Sequence, residues 1–313
     1  MFKIGIENFG QKLTDAIEEL ANPKFSICAN FSEADLIFSL NPLNRSKWDY
    51  KKIVIVGEPK VVRPDLYSSR RIRRYLQIVA VSQQRAEKMG VDSWINLPIE
   101  ISSSPKSDKK RKKRSVMVIG NKFSANKESN YGLRRKVIRL DEKRDQLIDV
   151  FGVDWLDPLW LQFRRQIHAA RIQLRDLSDF SLPELISEPF LVPKHYKGIM
   201  RSNLADLQEY ESAIVIENQS DYVSEKLWNT LSAGVVPFYV GPSLVDYPEI
   251  QEIVYELDGC PNEIVTAISN TNSRDLERRR NKIKRALSGF SIGQQDQKFA
   301  SELLSIVSQR LTL

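Results

Sequence analysis

Residues 213–242 read AIVIENQSDYVSEKLWNTLSAGVVPFYVGP. Four apolar residues, Ala213–Ile216, give a buried strand, and a polar turn follows at once. Ser220 or Asp221 is placed to cap a helix starting near Tyr222. Val223, Leu227, Thr230 and Leu231 recur at helical spacing as its buried stripe, and Gly234 stands where a C-terminal cap glycine belongs. Val235–Val240 is then a second strand. Strand, helix and strand in this order form one unit of a parallel, doubly wound sheet. Glu225 and Lys226 fall in the first turns of the helix, where backbone N–H groups point outward. Such an end attracts phosphate by about 0.3–2 kcal/mol from the dipole alone. Lys226 adds a full positive charge and Glu225 adds acceptors for sugar or ribose hydroxyls. Taken alone, the pair also suits any solvated helix start.

The same alternation runs outward in both directions. Upstream, Val116–Ile119 and Leu147–Phe151 read as strands, Leu133–Lys143 as a basic helix. Leu156, Leu159, Trp160, Phe163, Ile167 and Ala170 recur at helical spacing within 156–176. A helix is expected near 201–209 and two more over 274–313. The first hundred residues hold strands at Phe2–Ile6, Phe25–Ala29, Leu36–Ser39, Ile53–Val56, Ile78–Ser82 and Ile95–Leu97, with helices over Gln11–Ala21 and Gln83–Met89. The wholly apolar Ile53–Val56 suits a sheet covered on both faces. The fold class is α/β, two Rossmann-like doubly wound domains facing a cleft. Residues 1–101 form the first domain, 102–114 a basic linker, and 115–313 the second domain with its C-terminal helices. Ligands of such sheets bind at the carboxyl ends of the strands.

Composition narrows the function classes. The chain has 313 residues, 42% hydrophobic and 28% charged, as a globular protein of two ordinary domains does. No apolar run approaches the roughly 20 residues of a membrane span, and MFKIGIENFGQK reads as a first strand rather than a signal peptide. A cytoplasmic location is the expectation. Two cysteines, Cys28 and Cys260, do not make a disulfide framework, and two histidines, His168 and His195, do not make a metal cluster. The net charge of +7 favours anionic partners. Residues 105–114, PKSDKKRKKR, carry seven Lys or Arg against one Asp. This run reads as a solvated linker; polyanion binding, or peripheral attachment to an anionic inner membrane face, are its sharper readings. Trp94, Trp155 and Trp160 are assigned to the core.

Residues 216–241 resemble the α1,3/α1,4-fucosyltransferase family, whose signature runs approximately FENS…DYVTEKLxxALxAGxVPVYxG. Matching residues are Glu217-Asn218, Asp221-Tyr222-Val223, Glu225-Lys226-Leu227, Ala233-Gly234, Val236-Pro237 and Gly241. Ser224, Gln219 and Ile216 replace Thr, Ser and Phe of the pattern, and Pro237 within a strand is shared with it. Tyr196-Lys197-Gly198 resembles an element preceding the signature, and Gly120-Asn121-Lys122 resembles a strand-end turn that precedes an arginine on the next helix. That arginine is Arg134 or Arg135, and the placing of Val137 and Ile138 favours Arg134 by the family pattern. A guanidinium grips a pyrophosphate bidentately, which a lysine cannot. No D-x-D occurs, so the resemblance implies a metal-independent donor site with no cofactor, where arginine, lysine and a helix N-terminus meet the leaving-group charge.

The resemblance implies an inverting, GDP-fucose-dependent transferase of GT-B type, acting on an oligosaccharide or other glycan, with the α1,3 linkage expected. Its donor site would comprise Asn121, Lys122, Arg134, Tyr196, Lys197, Glu217, Asn218, Tyr222, Glu225 and Lys226. Inversion needs a general base for the acceptor hydroxyl. Glu58 ends the strand Ile53–Val56, Pro59 fixes its exit, and the family places its proposed base at a similar strand end. Phe31–Leu36 and Asn41-Pro42 also resemble the family's acceptor domain. Two other readings stand beside this one: the same fold with another sugar nucleotide, and a non-catalytic polyanion-binding module built on 105–114 and the basic helix. No specific nucleic-acid partner is expected.

Overall fold

The computed structural model describes residues 2–21, 25–44, 46–96, 111–174, 179–186, 192–200, 203–245, 247–288 and 292–311. The chain divides into two compact units, one of Met1–Ile99 with Ser291–Leu313, the other of Glu100–Phe290. Each holds one five-stranded sheet.

The first unit runs β1 (Phe2–Glu7), α1 (Gln11–Leu20), β2 (Phe25–Ile27), β3 (Leu36–Leu40), β4 (Lys52–Val56), α2 (Ser69–Ile72), β5 (Gln77–Ala80) and α3 (Gln83–Met89). The strands are all parallel, in the order β2-β1-β3-β4-β5. Ile53, Val54, Ile55 and Val56 have no exposed surface, as an apolar strand covered on both faces requires. Lys52 is also fully buried, and its charge is met by Glu7 at 2.8 Å and Asp49 at 3.5 Å. The strand expected at Ile95–Leu97 is instead an isolated bridge from Trp94 to Ala80.

The second unit begins with β6 (Lys112–Val118), then α4 (Tyr131–Lys143), β7 (Ile148–Phe151), α5 (Leu159–Gln173), α6 (Leu182–Leu185), α7 (Asn203–Leu207), β8 (Tyr210–Ile216), α8 (Glu225–Ser232) and β9 (Val236–Val240). It continues through α9 (Pro248–Gln251), β10 (Tyr255–Glu256), α10 (Pro261–Asn270) and α11 (Ser273–Ser288). Its strands are parallel in the order β10-β9-β8-β6-β7. Met117, Val150, Trp155, Ile214, Phe238 and Ile264 share its core. Pro237 is tolerated for a local reason. Val240 O accepts from Glu217 N and Tyr239 O accepts from Leu257 N, so alternation turns the missing N–H of Pro237 toward the β10 side. There β10 pairs only with Phe238 and Tyr239.

Two expectations about organisation change. The last helix, α12 (Ile292–Leu311), belongs to the first unit rather than the second. It packs on α1, where Phe9 and Phe299 lie 6.2 Å apart between ring centres and Phe299 is buried. The basic run is not wholly a solvated linker. Arg111 donates to Tyr210 O at 2.9 Å and to Ala233 O at 3.3 Å, Lys112 pairs with Glu209 at 2.8 Å, and Arg114 pairs with Asp149 at 2.8 Å. Burial, with Arg280 nearby, pushes the Arg111 pKa down to about 10. Residues 102–110 lie outside the described residues.

Candidate functional site

Glu217 leaves the carboxyl end of β8 fully buried. Its Oε1 accepts the backbone N–H of Ser224 at 2.8 Å, bending the loop 218–223 back over the strand end. Ser224 is thereby the cap of α8, and its hydroxyl accepts from Lys226 N at 3.4 Å. The helix starts at Glu225, later than the expected Tyr222, and neither Ser220 nor Asp221 caps it. Within the loop, Gln219 donates to Glu128 and Asp221. Leu227, Trp228, Thr230 and Leu231 form the buried face of α8, while Val223 is only half-buried ahead of it. At the far end Gly234 has φ +65°, and Val235 N donates to Thr230 O at 3.1 Å while Gly234 N donates to Leu231 O at 2.8 Å. That paired closure is the expected glycine cap.

Glu225 is exposed, its side chain at 66%, and Lys226 is part-buried with Nζ 3.7 Å from Glu225 Oε1 and 3.3 Å from Ser224 Oγ. Both border a cavity of about 170 Å³ whose walls include Val118, Ile216, Asn229 and Thr230. A larger cavity, about 400 Å³, opens at the carboxyl ends of β9 and β10, lined by Asn130, Ser220, Tyr239, Gly241, Ser243 and Asp258. Gly241 is obligatory there: a Cβ would lie 2.3 Å from Tyr239 Oη and 2.7 Å from Glu217 Cγ. Burial raises the Glu217 pKa above the ordinary carboxylate range, and Lys226 opposes that shift. Burial and then Glu217 raise the Tyr239 pKa.

Arg134 and Arg135 are 3% and 1% exposed. Arg134 donates to Ile216 O and, at 2.8 Å, to Asn218 Oδ1, so its fork holds the end of β8. Tyr131 stacks on it at 5.2 Å. Burial lowers the Arg134 pKa, against the pull of Tyr131 and Glu217. Arg135 turns the other way, donating to Lys122 O and lying 4.5 Å over the Phe123 ring. Asn130, unnoticed in the sequence, precedes α4 and donates to both Glu217 O and Asn218 O at 3.1 Å. Glu217, Asn218, Arg134, Glu225 and Lys226 are thus one connected cluster. Tyr222 lies half-buried in its loop.

The other sequence-derived residues belong to other elements. Asn121 follows β6, buried, with Nδ2 donating to Gln162 Oε1 at 3.4 Å, and Lys122 beside it is exposed. Tyr196 lies outside the edge strand β7, bridged to Val150, its hydroxyl donating to Gly152 O at 2.7 Å. Lys197 is exposed with Nζ 3.9 Å from Asp149. In the first unit Glu58 lies two residues past β4, half-buried. Asn41 Oδ1 accepts from Gly57 N at 2.8 Å and from Glu58 N at 3.0 Å, Tyr67 Oη donates to Glu58 O at 3.0 Å, and fully buried Arg85 donates to Gly57 O at 2.7 Å. The backbone carrying Glu58 is therefore fixed from three sides. Of the three tryptophans assigned to the core, Trp155 is buried, while Trp94 and Trp160 are 47% and 64% exposed.

No family model matches the chain, and no curated protein matches its sequence. Solved structures do resemble it. An α1,3-fucosyltransferase with GDP aligns at TM-score 0.54 and 13% identity over 98% of this chain and 90% of that one. Anabaena Alr3699/HepE, in complex with UDP and glucose, aligns at TM-score 0.57 and 11% identity over 97% and 100%. TarM aligns at 0.52 and 9% identity over 85% of this chain and 54% of that one, so the chain spans about half of TarM's length. Two parallel-sheet units and these likenesses establish the GT-B fold of two Rossmann-like domains.

Proposed function

We propose that the protein is an inverting glycosyltransferase that moves fucose from GDP-fucose to a glycan hydroxyl, with α1,3 linkage. The observation that carries this reading is the ordered run Glu217–Gly241, in which Glu217, Asn218, Glu225, Lys226 and Gly241 gather at the carboxyl ends of β8 and β9 and the start of α8 on a GT-B fold. Lys226 and the N-terminus of α8 meet the diphosphate charge. Glu225 accepts from donor hydroxyls, and Tyr222 and Asn218 border the same loop. Glu217 and Arg134 act from beneath by fixing that loop, Arg134 adding charge toward the leaving group. Asn121 and Lys122, just after β6, and Tyr196 and Lys197, alongside β7, complete the donor side. Glu58 takes the proton of the acceptor hydroxyl as its oxygen attacks the anomeric carbon and GDP departs, and no metal is required.

Incubation with GDP-fucose and a panel of glycan acceptors tests this, with and without EDTA. Transfer that persists in EDTA is expected. No turnover with any acceptor, together with no thermal shift by GDP, overturns the donor assignment. The likeness to a protein bound to UDP and glucose favours one second reading, the same chemistry with another nucleotide. A larger thermal shift with UDP or CDP than with GDP selects it.

A further inference from the structure

The helix α5 is inside out. Leu159, Trp160, Phe163, Ile167 and Leu174 are 38–64% exposed, and Leu156 just before the helix is 69% exposed. Gln162, Gln166 and Gln173 form its buried side. The inversion is built in. Gln162 donates to Asp157 O at 2.8 Å and accepts from Asn121 Nδ2 at 3.4 Å, and Gln166 donates to Leu185 O at 3.4 Å. Arg165 ties the helix start to Asp154, at 3.2 Å, and to Asp157. At about 100° per residue, the exposed apolar side chains of α5 occupy one arc of about 100°. Exposed Arg164, Arg171 and His168 occupy the arc directly beside it. No Asp or Glu occurs in 158–173. Leu182 and Ile186, on and just after the adjoining α6, extend the apolar surface.

We propose that this face of α5 lies in the plane of an anionic phospholipid surface. A helix of 15 residues is about 22 Å long, too short to span a bilayer and suited to lying in its interface. Trp160 and Phe163 would enter the headgroup–acyl boundary, while Arg164 and Arg171 reach lipid phosphates alongside. A second copy of the chain is the poorer occupant, because its own arginines would meet these across a symmetric contact in a molecule of net charge +7. The assignment concerns α5 and is independent of the donor reading and of residues 105–110.

Flotation of the full chain with vesicles tests it, comparing phosphatidylcholine alone with phosphatidylcholine containing phosphatidylglycerol. The protein should float with the anionic vesicles. Trp160→Ser with Phe163→Ser should cut that binding about tenfold or more with the melting temperature unchanged, since both side chains are exposed. Arg164→Glu with Arg171→Glu should abolish the preference for anionic lipid. Raising salt from about 0.1 M to 1 M, which shortens the Debye length from about 10 Å to 3 Å, should weaken binding of the native chain. Binding untouched by both pairs of substitutions but lost on Lys109→Ser with Lys110→Ser overturns the proposal. A lipid-free dimer that dissociates on Trp160→Ser with Phe163→Ser, with no vesicle binding, assigns the face to a second copy instead.

Discussion

Glu217 Oε1 accepts the amide of Ser224 at 2.8 Å, while Oε2, equally buried, has no hydrogen-bond partner among the described residues. One oxygen thus shapes the loop and the other carries a cost. Burial holds the Glu217 proton in the folded protein at pH values where the unfolded chain has released it. The folded state then binds more protons, so stability falls as pH rises from the ordinary carboxylate range through the raised folded value. Below about pH 4 both states are protonated and the cost disappears. Glu217→Gln keeps the acceptor and cannot ionise. Urea unfolding should find it close to the native protein near pH 4 and increasingly the more stable of the two toward pH 7. Parallel profiles across that range would contradict the argument.

Ser224 caps α8 through its hydroxyl, separately from the amide that Glu217 holds. Ser224→Ala should lower stability by about 1 kcal/mol. Ser224→Thr should retain most of it. Equal losses for both would point to packing rather than capping, since Ser224 is 1% exposed.

Gly241 has no room for a methyl group beside Tyr239 and Glu217. Gly241→Ala should cost about 1–3 kcal/mol through overpacking. It should also weaken nucleotide binding, because the displaced Glu217 no longer fixes the loop. Isothermal titration with GDP, beside denaturant unfolding, separates the two effects.

Glu58 and Arg85 should behave differently although both meet the turn that follows β4. The Glu58 side chain takes no part in the backbone clamp, which uses Gly57 N, Glu58 N, Glu58 O and Gly57 O. Glu58→Gln should leave the melting temperature unchanged and lower kcat by about 10²–10⁴ with GDP affinity intact. Arg85→Met strips a partner from the Gly57 carbonyl and should destabilise the protein by about 1–3 kcal/mol. A full-speed Glu58→Gln enzyme would remove Glu58 from the base role.

Sheet membership was readable because Ile53–Val56 and Ala213–Ile216 are apolar runs between turn residues, and Gly234 announced a helix end by its own backbone freedom. The start of α8 was not readable. Three residues, Ser220, Asp221 and Ser224, could cap by type, and the choice is made by a carboxylate seven positions upstream of Ser224. Periodicity found α5 but could not say which side faces inward, since buried Gln162 and Gln166, each with a backbone partner, outweigh the apolar stripe. Arg134 and Arg135 differ by one position and hence by about 100° around α4, so one clasps Ile216 O and the other Lys122 O. Asn130 escaped notice because its partners, Glu217 O and Asn218 O, are nearly ninety residues away.

The packing of α12 on α1 means that an element of the first unit waits for one made only after the whole second unit. During synthesis, the sheet of β1 to β5 leaves the ribosome long before Phe299 is made. Until then the part of the α1 surface that α12 covers, beside Phe9, stays open. A stop codon within α12 would therefore injure the first unit rather than the second, and chaperone engagement during translation should map to the α1 surface.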